Sequence, residues 1–242
     1  MINTHADVVG SLLRPLELLK AREEVKTGRI SADVFQAIED RAVDEAIALQ
    51  EGTGLKVITD GEMRRLSFQS QIMEAVEGFG EFDTDAFLWG DWCGDKNLEK
   101  VGKKRPQGLG VVSKLTRRRH ISLDEFTYLK SHTRRTPKIT LPSPIIAASW
   151  WSPDLSAAAY PTLESFLADV VDILREEVAE LVRQGATYIQ IDAPIYPLLF
   201  DSQFRTFYEG LGWDLDRWLR LGIEMDNAVM GDFPEVTFGF HL

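Results

Sequence analysis

Four short apolar runs, each ending in a polar cluster and separated by long helical patterns, constrain this chain more than any other feature. They are Ala6-Asp7-Val8-Val9-Gly10-Ser11, Leu55-Lys56-Val57-Ile58-Thr59-Asp60-Gly61-Glu62, Thr187-Tyr188-Ile189-Gln190-Ile191-Asp192 and Glu235-Val236-Thr237-Phe238-Gly239-Phe240-His241. A buried parallel strand that stops on Ser, Asp, Glu or His is how a (β/α) barrel assembles a site on the C-terminal rim of its strands. Helices of ordinary length between strands favour right-handed βα units and a parallel sheet.

The local signals divide the chain as follows. Residues 6–11 read as a first strand. Arg14-Pro15 opens a helix to about Lys26, with Gly28 beyond its end. Ser31 starts a second helix, in which Val34, Phe35, Ile38, Ala42, Ala46 and Leu49 recur at helical spacing until Gly52 and Gly54 stop it. A strand follows at 56–60, and 66–77 reads as helix. Residues 78–106, with Phe87-Leu88-Trp89-Gly90-Asp91-Trp92, read as a long functional loop, part of an excursion over about 78–121. Residues 109–121 read as strand or hairpin, and Ser122 to about His132 as a short helix. A strand at about 138–142 runs into Pro142-Ser143-Pro144. Thr162 caps an amphipathic helix to about Gln184, with Gly185 as its stop. A strand at 187–192, one or two helices over 200–231 and a strand at 235–241 complete the reading.

The expected fold class is therefore α/β, a single domain over 1–242 of the (β/α)8 TIM-barrel type. Six of the eight strands of such a barrel are present. The expectation is a barrel truncated at its C-terminal end; the rival is a six-strand sheet whose edges a partner covers. Exposed edge strands would permit oligomers.

At 242 residues with 44% hydrophobic content there is enough chain for one sizeable core. A net charge of −11 argues against nucleic-acid and anionic-membrane partners and suits an enzyme of small molecules. The single cysteine, Cys93, excludes an internal disulfide and points to a cytoplasmic setting. No N-terminal signal pattern is visible, and no stretch approaches the ~20 apolar residues of a membrane span.

Each motif has a chemical and a structural reading. Gly10-Ser11 could offer a hydroxyl and an amide to a carboxylate, or Ser11 could simply cap a helix. In Asp60-Gly61-Glu62-Met63-Arg64-Arg65, acids and guanidiniums crowd one strand end. They suit recognition of an amino acid, with the acids on its ammonium and an Arg on its carboxylate, or else form a salt-bridged loop. Asp192 follows a wholly apolar strand, where an unpaired carboxylate costs several kcal/mol. It is the candidate catalytic residue, unless a loop hydrogen bond satisfies it. Trp150 and Trp151 could stack on a heteroaromatic ligand or pack in the core. His241 could ligate a metal or serve as a hydrogen-bonded strand-end residue. Arg117-Arg118-Arg119 and Arg134-Arg135 could attract an anionic tail or be a solvated face.

In order along the whole chain, Val9-Gly10-Ser11-Leu12-Leu13-Arg14-Pro15, Asp60-Gly61-Glu62, Pro142-Ser143-Pro144 with Trp150, Gln190-Ile191-Asp192-Ala193-Pro194 and Gly239-Phe240-His241 resemble the cobalamin-independent methionine synthase family. The resemblance is strongest to its single-barrel relatives. It implies methyl transfer from a methyltetrahydrofolate to homocysteine, with zinc holding the thiol as thiolate. It further implies that Ser11 binds the homocysteine carboxylate, that Glu62 and Asp192 bind its ammonium, that Trp150 contacts the pterin and that His241 is the first zinc ligand. Two departures stand out. The family's next zinc ligand, a Cys two positions after the His, would fall beyond Leu242, so zinc is not expected to be retained by this chain alone. Ala193 replaces a Glu usual between the Asp and the Pro. Alternatives are a related barrel acting on another thiol or a corrinoid-bound methyl group, and a metal-free binding module. A uroporphyrinogen-decarboxylase-like activity would not explain the Asp60, Glu62 and His241 pattern.

Overall fold

A computed structural model describes residues 4, 6–82, 108–210 and 212–242. Of the loop expected over 78–106, residues 83–106, Cys93 among them, lie outside the described residues.

The helices form where periodicity and caps place them. Helix α1 (Leu16–Lys26) follows Pro15, and α2 (Ala32–Gly52) is capped by Ser31, whose hydroxyl accepts from the Val34 amide. After β1 (Val57–Ile58) comes a short α3 (Ser70–Ala75), then an antiparallel hairpin of β2 (Val76–Phe82) with β3 (Gly108–Arg117). Helix α4 (Leu123–His132) leads to β4 (Thr136–Pro137) and β5 (Ile139–Pro142). A 3₁₀ segment (Pro144–Trp150) precedes α5 (Leu163–Arg183) and β6 (Tyr188–Asp192). Helices α6 (Ile195–Leu198), α7 (Ser202–Gly210) and α8 (Leu215–Met230) separate β6 from β7 (Thr237–His241).

Strands β5, β6 and β7 form one parallel sheet in that order, and β1 pairs in parallel with β4. The two ladders are nearly continuous, because the Lys138 amide between β4 and β5 donates to the Ile58 carbonyl at 2.9 Å. Along β5 and β6 the side chains alternate. Ile139, Leu141, Ile189 and Ile191 enter the core, where the sheet, α5 and the 3₁₀ segment meet. Lys138, Thr140, Gln190 and Asp192 take the other face, as a two-residue period requires. A second, smaller core joins α1, α2, β1 and α4 through Leu18, Val43, Ile47 and Leu129.

Three expectations are corrected. Residues 78–82, expected as the start of a loop, pair with β3 in the hairpin. Residues 6–11 are extended but form no strand. The Val8 and Val9 carbonyls are taken by the Lys138 and Gln190 side chains instead of a ladder, and only the following Leu12 amide reaches Gly61 O, at 3.1 Å. The helix expected over 66–77 is confined to Ser70–Ala75, because Val76 and Glu77 are recruited into the hairpin opposite Arg117 and Thr116. The described residues contain no closed barrel.

Helix α4 owes its start to a residue far away in sequence. Buried Glu177 of α5 accepts the Ile121 and Ser122 amides at 2.8 and 2.7 Å, satisfying donors that a helix N-terminus leaves open. Helix α5 itself starts with a reciprocal pair. Thr162 Oγ1 accepts from the Ser165 amide at 3.2 Å, and Ser165 Oγ accepts from the Thr162 amide. T162A should therefore lower stability by about 1 kcal/mol, read by urea denaturation with an unchanged m-value.

Candidate functional site

The Asp60-Gly61-Glu62 turn leaves β1 through two successive left-handed residues, Gly61 at φ 70° and Glu62 at φ 55°. A Cβ on Gly61 would lie 3.2 Å from Ala46 Cβ and 3.3 Å from Leu12 Cβ, so glycine is needed there on both counts. Glu62 pays for the same backbone region without that freedom. Such strain persists where surrounding contacts over-determine it, which is common at working sites.

Those contacts are explicit. Glu62 Oε2 accepts from Ser11 Oγ at 2.5 Å, and Oε1 accepts from Thr140 Oγ1 at 2.9 Å and Arg65 Nη1 at 3.2 Å. The Glu62 carbonyl takes Arg14 Nη2 at 3.0 Å. Arg65 is 1% exposed and also holds Glu125 through Nε and Nη2, the latter at 2.6 Å. Burial opposes the Arg65 charge, but Glu125, Glu62 and Asp60 outweigh it and hold the guanidinium above its ordinary pKa. Burial pushes the Glu125 carboxyl up to about 7 against the attraction of Arg65. Asp60 is buried, and burial raises its carboxyl as well. Its Oδ1 accepts from the Glu62 amide, while Oδ2 has no hydrogen-bond partner among the described residues.

The second half of the site stands at the ends of β6 and β7, which pair Asp192 with His241. Asp192 Oδ1 accepts from Gln190 Nε2 at 2.6 Å and lies 3.0 Å from His241 Nδ1. Both contacts fall on Oδ1, which leaves Oδ2 for an incoming donor. Burial raises the Asp192 carboxyl, these two hydrogen bonds oppose the rise, and the negative charge of Glu62 adds to it.

Beneath them sits Lys138, 0% exposed. Its ammonium donates to Gln190 Oε1 at 2.6 Å, Val8 O at 2.5 Å and Asp7 Oδ2 at 3.2 Å. Tyr188 Oη donates to the same Asp7 oxygen at 3.0 Å. Burial pulls the Lys138 ammonium below its ordinary value, opposed by Asp7, Asp192 and Glu62.

The structure thus brings Ser11, Asp60, Glu62, Asp192 and His241 to the C-terminal ends of parallel strands. Trp150 goes elsewhere: it is 4% exposed, edge-on to Phe79 at 5.7 Å, as part of the core. Arg117, Arg118 and Arg119 are paired with Glu176, Glu77 and Glu74 on the surface. Lys138 and Glu125 were not among the sequence candidates, whereas Arg64 and Arg65 were, as guanidiniums for a carboxylate; Arg64 is instead paired with Glu39 and Asp40, and Arg65 with Glu62 and Glu125. Lys138 carried a signal, since a lysine two positions before Thr140 in an otherwise apolar strand belongs to that strand's polar face.

Among the described residues, no group of three or more His, Cys, Asp or Glu side chains could hold a metal. His241 contributes one imidazole to Asp192, and no described Cys stands beside it. No helix among them is long and apolar enough to cross a membrane.

Residues 4–204 match the family described as the catalytic domain of cobalamin-independent synthase. The uncharacterized protein YxjH of Bacillus subtilis is 25% identical over 98% of this chain and 60% of its own length. A methionine synthase of Pyrococcus furiosus is 28% identical over 77% of this chain and 51% of its own. The chain thus spans roughly half to three-fifths of these relatives. Among solved structures, a B12-independent methionine synthase from Shewanella, in complex with selenomethionine, superposes with a TM-score of 0.65 at 18% identity. That match covers 88% of this chain and 53% of that one, and shows a shared α/β fold.

Proposed function

The chain belongs to the cobalamin-independent methionine synthase family, and from that premise we propose that it is a methyltransferase acting on a thiol-bearing amino acid. The specific reading is transfer of a methyl group from 5-methyltetrahydrofolate, or its polyglutamate, to homocysteine. We read the parallel strands as part of a (β/α)8 barrel whose rim carries the site.

One observation carries the proposal. Two buried carboxylates, Glu62 and Asp192, stand at strand ends, and the exposed residue Ser11 donates its hydroxyl to Glu62 Oε2. An α-amino acid presents an ammonium and a carboxylate a few ångströms apart. The two acids suit the ammonium. The Ser11 backbone amide suits the carboxylate, and the Ser11 hydroxyl joins it on turning from Glu62 Oε2. Arg65 and Thr140 occupy Glu62 Oε1, which orients the carboxylate toward Ser11 and the ligand. Asp192 would bind through Oδ2 while Gln190 and His241 steady Oδ1. Trp150, the position matched to the pterin contact, would meet a flat donor only along its small exposed edge. The described residues do not fit zinc, so the reading contains no metal-dependent step.

The test is a product assay with methyl-labelled methyltetrahydrofolate or methylcobalamin, offered with homocysteine and with unrelated thiols. Homocysteine-dependent methionine from the folate donor supports the proposal. Preference for another thiol, or for the corrinoid donor, replaces it with a related transfer. Homocysteine binding without turnover for any pair overturns the enzyme reading in favour of a binding module.

A further inference from the structure

Lys138 lies below the carboxylates rather than among them, yet it touches the neighbours of both halves of the site. On one side its ammonium holds the Val8 carbonyl and Asp7, and so anchors the extended segment that ends in Ser11. On the other side it donates to Gln190 Oε1 at 2.6 Å. An ammonium has only donors, so the amide must turn its oxygen toward Lys138. That leaves Gln190 Nε2 facing the other way, where it donates to Asp192 Oδ1 at 2.6 Å and to Val9 O at 2.7 Å. A flipped amide would set its oxygen against the Asp192 carboxylate and its NH₂ against the ammonium, two repulsive contacts in place of two attractive ones.

We infer that Lys138 is a positioning residue: by fixing the orientation of the Gln190 amide and the course of residues 7–9, it sets the separation of Ser11 from Asp192. Its bearing on an amino-acid ligand rests on the function proposed above; its control of Gln190 does not. The sheet register supports the assignment. Thr140, two residues after Lys138 on the same face, pairs with Gln190, so the lysine reaches Gln190 diagonally across adjacent strands. The ammonium is fully enclosed, and nothing about its contacts depends on a mobile surface chain.

The experiment compares the wild-type chain with K138M. Two readouts are taken: the side-chain amide signals of Gln190 in ¹⁵N–¹H spectra, assigned by their loss in Q190L, and calorimetric affinity for L-homocysteine and for 4-mercaptobutanoate, which lacks the ammonium. In K138M the Gln190 signals should shift and lose their protection from exchange. Affinity for homocysteine should fall about tenfold, the scale of one hydrogen bond, and affinity for 4-mercaptobutanoate by less, because that ligand keeps the carboxylate facing Ser11 but has no ammonium for Asp192. A K138M chain with unchanged Gln190 signals and unchanged homocysteine affinity overturns the inference. If K138M does not fold, K138M/D7N removes both charges of the buried pair and carries the same readouts. If the wild type binds no homocysteine, the proposed function fails, and the Gln190 spectra still decide the role of Lys138.

Discussion

R65L should destabilise the chain by about 3–5 kcal/mol, a loss visible as a melting temperature lower by roughly 10 °C or more. The guanidinium is 1% exposed and is the shared partner of Glu62, Glu125 and Thr140. Leucine fills part of the volume but leaves two buried carboxylates without their cation, and an orphaned buried charge costs more than the lost hydrogen bonds. The loss should also depend on pH, in a direction that can be worked out. The folded pKa of Glu125, about 7, lies above its ordinary value of 4.5. The folded state therefore binds this proton more tightly than the unfolded chain. The stability linked to it is fully present below the unfolded value and is lost as pH rises through about 7. Removing Arg65 takes away the main attraction that keeps Glu125 ionised, so its carboxyl rises further. The deficit of R65L should then be smaller near about pH 5, where the acid is neutral, than near about pH 8. Denaturant titrations at the two pH values check this. An equal deficit at both would mean that the ion pair contributes little and that the cost is one of packing.

Much of the fold was legible because its signals are local. Ser31 and Thr162 as caps, Gly185 as a stop and the apolar stripe of α5 all appear where spacing alone puts them. The polar ends of β1, β6 and β7 were legible for the same reason. What was not legible depends on residues far apart in the chain. Residues 6–11 have a strand's composition, but their carbonyls are claimed by Lys138 and Gln190, more than 120 positions away. Val76 and Glu77 continue a helical pattern until β3 offers them a ladder. Arg65 was visible as one of a charged pair after Glu62, yet nothing nearby distinguishes it from Arg64. Arg64 binds Glu39 and Asp40, more exposed, and lies over the Tyr128 ring, while Arg65 turns inward to Glu125, sixty residues on. The same logic separates Trp150 from the acids of the rim. An indole after a strand exit satisfies both a stacking site and a core, and its packing in the main core, edge-on to Phe79, depends on residues distant in the chain.

D192N should weaken L-homocysteine binding by about 30-fold to 1,000-fold, the range set by losing one side of a partly buried, charge-assisted contact. The substitution is close to isosteric. An asparagine oxygen can keep the Gln190 and His241 hydrogen bonds that now fall on Oδ1, so the fold should be spared. What changes is Oδ2, where an NH₂ would face the ligand's ammonium: a donor against a donor. The effect should therefore belong to the ammonium and not to the thiol or the carboxylate. Affinity for 4-mercaptobutanoate should move by no more than about twofold, because that ligand never engages Asp192. Calorimetry with both ligands on both proteins separates the cases. Equal weakening of the two would show that Asp192 acts by shaping the rim, and that Glu62 with Ser11 alone forms the amino-acid site. Selective loss of homocysteine would place the ammonium on Asp192 Oδ2, the oxygen that the Gln190 and His241 contacts leave open.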